Sequence, residues 1–286
     1  MNAVSSIVTS TGATNMITAL LEQRTGQQIA ANRAWRIETA LKPLLRVRHL
    51  DTIEQLAAHL VSSRDQELSE AVVDALLNQE TSFFRDSGVV DGVFEAAQRL
   101  QAEAPQRRLR LWSAGCSTGQ EPLSLAMLFA DLAQDSTSPE PEIVATDVSP
   151  SALARARAGR FSQFEIQRGL PIRRMVEWFD SDGTDWIAKQ ALVRRVCFRR
   201  QNLAADAPPA GRFDIIMCRN VMLYFSPSLR ARVFERLASA LREGGLLVLG
   251  AGETVIGQTD RFAPCEQFRG FYRLVDSRAG LAPEAG

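Results

Sequence analysis

Up to about residue 100 the apolar positions recur at spacings of three and four. This holds over Met16 to Gln23, Ala31 to Val47, Thr52 to Ser62 and Gln66 to Asn78, and the pattern predicts helices. Gly26 and the Pro43 region punctuate them, and no alternating strand pattern occurs. A small all-α domain is expected over 1–86, with 87–106 as a linker whose Ser87 to Leu100 stretch is itself helical. From Leu109 the period changes. Short apolar runs at Leu109 to Trp112, Glu142 to Val148, Val196 to Phe198, Phe213 to Cys218, Leu246 to Gly250 and Phe271 to Val275 read as strands. Helical patterns at Glu121 to Leu132, Pro150 to Ala158 and Pro227 to Leu241 separate several of them, and Gly244-Gly245 is expected to stop the last helix. This alternation predicts an α/β, Rossmann-like domain over 107–286, built on a parallel sheet. Ser136 to Pro141 reads as a polar loop, and about 160–195, rich in aromatics with a turn at Ser181 to Thr184, as a small β insertion.

The strand-turn-helix unit Leu109 to Pro122, LRLWSAGCSTGQEP, carries the most chemistry. In an open α/β sheet, ligands bind outside the carboxyl ends of the strands, where this turn lies. Gly115 and Gly119 are expected to let the backbone approach a ligand. The run is neither GxGxxG nor a P-loop. It places Glu121 at the helix mouth, which suits hydroxyls or an amino group better than phosphates. Asp147, near the end of the next strand, stands where nucleoside sites put a ribose-binding carboxylate. It could instead cap the helix at Pro150, but Ser149 serves that purpose better. Asn220 ends an apolar strand and either faces a ligand or satisfies a turn. Tyr224 and the cluster NQETSFFRD, with Glu80, Thr81, Phe83, Phe84 and Arg85, also read as core and helix terminus.

Composition narrows the classes. The 286 residues hold 33 basic and 33 acidic side chains, so the formal net charge is zero and a nucleic-acid partner is not expected. No apolar run reaches the roughly 20 residues of a bilayer span, and no membrane insertion is expected. The N-terminal MNAVSSIVTSTGATN lacks a basic region before an apolar one, so no secretory signal is read and a cytoplasmic location is expected. The four cysteines form no CxxC, and the two histidines lie in the helical region, which disfavours a His-based metal site or a Ser/His/Asp triad.

The segments NQETSFFRD, LWSAGCSTGQEP, IVATDVSPSALARARAGRF, FSQFEIQRGLP, FRRQNL and FDIIMCRNVMLYF occur in one order. Together they resemble the CheR family, chemotaxis protein-glutamate O-methyltransferases that use S-adenosylmethionine, and the resemblance covers essentially the whole chain. It implies a helical N-terminal domain joined to a Rossmann-like S-adenosylmethionine-dependent methyltransferase domain with a small β-subdomain. It implies cofactor contacts at Gln79, Thr81, Arg85, Glu121, Asp147, Asn202, Leu203, Arg219 and Asn220, with catalytic roles for Arg85 and Tyr224. Gln79 stands where the family pattern has asparagine, with Asn78 shifted by one, and Gln120 replaces the first of two acids before proline.

The implied reaction esterifies glutamate side chains on the helical cytoplasmic domain of chemoreceptors and leaves S-adenosylhomocysteine. Glutamate is already ionised at neutral pH, so no general base is needed, and Arg85 is expected to orient the carboxylate. The basic residues Arg33, Arg36, Lys42, Arg46 and Arg48 read either as a solvated face or as a surface that steers an acidic receptor. A monomer is assumed. The alternative reading is a non-catalytic module that binds S-adenosylmethionine or S-adenosylhomocysteine and signals to a partner. A nucleic-acid methyltransferase is disfavoured because Arg219-Asn220-Val221-Met222 lacks the proline-containing turn of adenine methylation.

Overall fold

The computed structural model describes residues 10–30, 33, 35–63, 65–133 and 139–275. Residues 1–9, Ala31, Asn32, Ala34 and 136–138, on which parts of the signal, helix and loop expectations rest, lie outside the described residues. The chain divides into two compact units at Asn78/Gln79, with Tyr224–Ser226 joining the first.

Among the described residues the first unit has four α-helices, α1 (Ser10–Thr25), α2 (Trp35–Val47), α3 (Ile53–Ser63) and α4 (Gln66–Leu76). Buried Ile37, Leu41 and Leu45 repeat at four-residue intervals along α2, and Leu68, Val72 and Leu76 do so along α4. These rows form the apolar stripes that close a helical core. Pro43 does not punctuate the chain as the sequence suggests, but lies inside α2. Pro43 and Thr39, the residue whose carbonyl loses its helical donor, both sit on the exposed face of the helix.

The second unit begins with α5 (Ser87–Glu103) and β1 (Arg110–Ala114) and continues through α6 (Gln120–Ala133), β2 (Glu142–Asp147) and α7 (Pro150–Ala158). After an insertion come β6 (Val196–Arg200), β7 (Phe213–Cys218), α11 (Pro227–Ala240), β8 (Leu241–Leu249), β9 (Phe262–Pro264) and β10 (Phe271–Leu274). The insertion supplies β3 (Arg160–Ser162), α8 (Gln163–Gln167), α9 (Ile172–Trp178), β4 (Phe179–Asp182), β5 (Asp185–Ala188) and α10 (Gln190–Val193).

The main sheet runs β6-β2-β1-β7-β8-β10-β9. Its first five strands are parallel, and β10 is antiparallel to both neighbours. Every residue of β7 is buried, as expected for a central strand covered on both faces. From β1 the chain moves outward to β2 and β6, then returns to place β7 on the other side of β1. The strand order therefore reverses between β1 and β7, which marks the ligand crevice of an open α/β sheet. The Rossmann-like expectation is met.

Two local readings change. Gly244 and Gly245 do not cap α11, which ends at Ala240; they lie inside β8, where the pairing jumps from Phe213↔Leu241 to Ile215↔Leu246. Gly244, at φ +73°, supplies the left-handed residue of that bulge. The edge strand β9 is absent from the sequence expectation, because three residues ending in proline carry no period.

The insertion is a three-stranded antiparallel sheet in the order β3-β5-β4, with the expected turn placed where Asp182 pairs Asp185 around Gly183. Phe83 fastens it to the unit. This ring is fully buried and meets Phe161 and Phe179 edge-on at 5.0 and 5.5 Å.

Candidate active site

The turn after β1 is a run of unusual backbone. Gly115, Ser117 and Gly119 have φ of +81°, +50° and +94°. Protein, rather than an approaching ligand, fills the space beside the two glycines. A Cβ on Gly115 would lie 2.5 Å from Val221 Cγ2, and one on Gly119 would lie 2.8 Å from Ala156 Cβ. They are required by dihedral and by close packing against the post-β7 loop and α7. Phe84, Asp86 and Asn220 add three more non-glycine residues at positive φ, at 49°, 53° and 58°. Together with Ser117, four of the five such residues among those described lie in the loops that bear the expected site. Backbone in sparsely populated regions gathers where a site is held in place by its surroundings.

Asp147 is not a helix cap. Ser149 takes that role, its hydroxyl accepting from Ala152 N at 3.0 Å. Asp147 instead accepts Ser117 N at 2.8 Å and Ser149 N at 2.9 Å, so two loops aim its carboxylate at the end of β2. Gln79 is drawn to the same corner. Its amide donates to Ser149 Oγ at 3.1 Å, and its carbonyl accepts Ser117 Oγ at 2.9 Å. Asn78, the shifted asparagine, is used elsewhere: its amide donates to the Tyr224 hydroxyl within the first unit. Gln28 N also donates to Tyr224 O at 2.8 Å, so this tyrosine is fixed by contacts of the helical unit.

Glu121 opens α6 with its side chain 14% exposed. Ser113 Oγ donates to one carboxylate oxygen at 2.8 Å and Arg219 to the other at 2.9 Å. Arg219, only 2% exposed, also donates to Asp86 Oδ2 at 2.6 Å and to the Arg85 carbonyl at 3.0 Å. Its guanidinium therefore holds the cluster together from inside. The neighbouring Gln120 is buried and accepts Thr118 Oγ1 at 2.7 Å, a position where an amide avoids the cost of a second buried charge.

Arg85 is half-buried and donates to the Glu80 carbonyl at 3.2 Å, which curls its side chain over the 80–85 turn. That turn is tied to α6 through Phe84 N donating to Ser124 Oγ at 3.0 Å. Thr81 is half-buried on it.

Asn202 and buried Leu203 follow β6, where Gln201 N donates to Asp147 O at 3.0 Å. Asn202 is shaped by its own turn, accepting Ala204 N at 2.9 Å and donating its backbone N–H to Asp206 at 2.7 Å. Asn220 follows β7. Within the second unit the expected residues thus collect at the carboxyl edges of four adjacent strands, β6, β2, β1 and β7.

Sequence reasoning missed Glu253. Its carboxylate accepts Asn220 N at 2.7 Å, Gly250 N at 2.9 Å and Leu223 N at 3.3 Å, and so locks the left-handed turn that carries Asn220. The signal was available, since Glu253 is an acid shortly past the end of an apolar strand. Ser113 and Asp86 were missed too, because their importance lies in partners far along the chain.

Cys116, between these acids, has its thiol pushed well above the ordinary value by burial and then by Asp147 and Glu121. It stays protonated and takes no nucleophilic part. Acceptors dominate this corner. Carboxylates at Glu121 and Asp147 suit the amino group and ribose hydroxyls of a nucleoside-amino acid ligand, and they repel phosphate.

A family model described as "CheR methyltransferase, SAM binding domain" matches residues 79–271. The chain is 37% identical over 247 residues to "Chemotaxis protein methyltransferase 1" of Vibrio cholerae, covering 85% of this chain and 89% of that protein. It is 34% identical over 248 residues to "Chemotaxis protein methyltransferase 1" of Pseudomonas aeruginosa, covering 85% and 90%.

Proposed function

The chain belongs to the CheR methyltransferase family and is an S-adenosylmethionine-dependent chemotaxis methyltransferase, and from this we propose that its substrates are glutamate carboxylates on the cytoplasmic helices of chemoreceptors. The products are glutamate methyl esters and S-adenosylhomocysteine. The observation that carries this reading is the pair of oriented carboxylates, Glu121 and Asp147, at the strand-order reversal, with Arg85 on a loop fastened to the same cluster.

When bound, S-adenosylmethionine supplies an electrophilic methyl carbon on a sulfonium. Glu121 would receive the amino group and Asp147 the ribose hydroxyls, while Gln79, Thr81, Asn202, Leu203 and Asn220 would complete the cradle. The incoming glutamate is an anion at neutral pH, its unperturbed pKa being about 4.3, so no proton has to move. The bound donor would supply the methyl group and keep the leaving electron pair on its sulfur, so the carboxylate would need only to be aimed at it. The chain contributes alignment and charge placement, which supply on the order of 7–11 kcal/mol in favourable cases. Arg85 offers a planar fork that orients the carboxylate without burying its charge. The catalytic role of Tyr224 is carried over from the family resemblance, by which its hydroxyl would help hold the substrate or cofactor.

The site of action is the cytoplasm, where the receptor's methyl-accepting helices lie, and the exposed basic residues of α2 face that acidic surface. The test is methylation of purified receptor cytoplasmic fragments with labelled S-adenosylmethionine, followed by mass mapping. Base-labile label on glutamates is expected. R85A is expected to lower turnover by about a hundredfold, the scale of a misplaced reactant. Y224F is expected to lower it by about fivefold, the scale of one hydrogen bond. Label confined to nitrogen atoms, or no calorimetric binding of S-adenosylhomocysteine, would overturn the reading.

A further inference from the structure

Arg219 lies just past the carboxyl end of β7 and bonds three groups on two other segments, α6 and the 85–86 turn. One arm of its guanidinium holds Glu121 at 2.9 Å, and the other holds Asp86 at 2.6 Å and the carbonyl of Arg85 at 3.0 Å. It is 2% exposed while Asp86 is 44% exposed, so the strut runs from a buried end at Glu121 to an open end at the 85–86 turn. Asp86 occupies the N-cap position of α5, yet its side chain makes no capping bond. Its carboxylate is spent on Arg219 instead, and a residue with φ +53° is held there to do it. One cation is thus shared by two carboxylates, which leaves the trio with one formal negative charge.

We infer that Arg219 is a positioning residue that couples seating of the cofactor at Glu121 to placement of Arg85 for the substrate carboxylate. The inference rests on the roles proposed above for Glu121 and Arg85. An ammonium group that binds Glu121 competes with Arg219 for that carboxylate. The guanidinium then leans on Asp86 and the Arg85 carbonyl, and the 85–86 turn tightens. Cofactor binding in this way readies the residue that aims the substrate. By linkage the effect is reciprocal: substrate must tighten the cofactor by the same factor.

The experiment measures S-adenosylhomocysteine affinity by calorimetry with and without a receptor cytoplasmic fragment, and the KM and kcat of methylation, in wild type, D86N and R219K. Asparagine tolerates the left-handed backbone at position 86, so D86N removes the charge at the strut's open end and leaves Arg219 on Glu121. Wild type is expected to bind S-adenosylhomocysteine about fivefold or more tightly when the fragment is present. D86N is expected to keep its affinity for S-adenosylhomocysteine alone within about twofold, to lose the tightening, and to raise the fragment KM by about fivefold. R219K, a point charge that cannot bridge both anchors, is expected to lose the tightening and weaken S-adenosylhomocysteine as well.

Full coupling and an unchanged KM in D86N would overturn the inference. So would an equal loss in both affinities, absence of coupling in wild type, or failure of both variants to fold, which would make Arg219 a fold element alone. A wild type that binds S-adenosylhomocysteine but labels no fragment defeats the substrate reading instead.

Discussion

Glu142 and Arg110, at the amino-terminal edge of the sheet, show how a single pair ties two strands together away from the chemistry. Arg110 Nε donates to Glu142 at 2.8 Å across the β1–β2 register, with Arg110 opposite Glu142. That hydrogen bond is the largest influence holding the Glu142 carboxyl below its ordinary 4.5. A folded-state value below the unfolded one stabilises the fold above the unfolded value, and the contribution disappears as pH falls through the folded value. E142Q is therefore expected to cost up to about 1 kcal/mol near pH 7, the scale of part-exposed pairs. The gap from wild type should close as pH is lowered below 4.5, measured as denaturant midpoints over a pH series. A constant gap at every pH would assign the loss to packing.

In the site, Glu121 and Arg219 form a more buried pair, 14% and 2% exposed. Glu121 is legible from its position after a glycine-rich turn. That Arg219 is its partner is not, since 98 residues separate them. The same holds for Asn78 and Gln79. Adjacent amides of similar chemistry are sent to different units, one to Tyr224 and one to Ser149, and no local pattern distinguishes them.

Elements were the most legible level where a period was long. The α7 helix begins and ends as the sequence predicts, because Ser149 caps it, Pro150 starts it, and Gly159 at φ +62° ends it. Turns were legible in kind but not in reason. Gly115 sits where the sequence places a glycine turn, but its cause is the Val221 side chain together with a φ of +81°. G115A is expected to destabilise by about 1–3 kcal/mol, from backbone strain plus the clash. V221A placed in that background should recover only the steric part, leaving the strain. Urea midpoints of the two single variants and the double variant measure both parts. Complete recovery would show that the dihedral costs nothing.

The whole molecule adds a field. α2 buries Ile37, Leu41 and Leu45 and leaves Lys42 and Arg46 exposed. Arg48 is less available, since it lies 3.6 Å from Asp65 and 3.7 Å from Glu67. The steering surface proposed for an acidic receptor is therefore carried by Lys42 and Arg46 more than by Arg48. K42A/R46A is expected to raise the receptor-fragment KM several-fold at low salt. The difference should vanish toward 1 M salt, where the screening length is about 3 Å. An unchanged salt slope would return these side chains to a merely solvated face.

Read along the chain alone, the residues suffice for the family, the helical unit, the alternation that makes the parallel sheet, and the positions of Glu121, Asp147 and Asn220 near strand ends. Those properties are local, because helix and strand periods and cap residues act over a few positions. Folding in three dimensions was needed to bridge Glu121 and Asp86 through Arg219, to lock the Asn220 turn with Glu253, and to fill the space beside two glycines with Val221 and Ala156. Such pairings depend on which loops meet at the edge of the folded sheet, and that is fixed by the strand order rather than by neighbours in the chain.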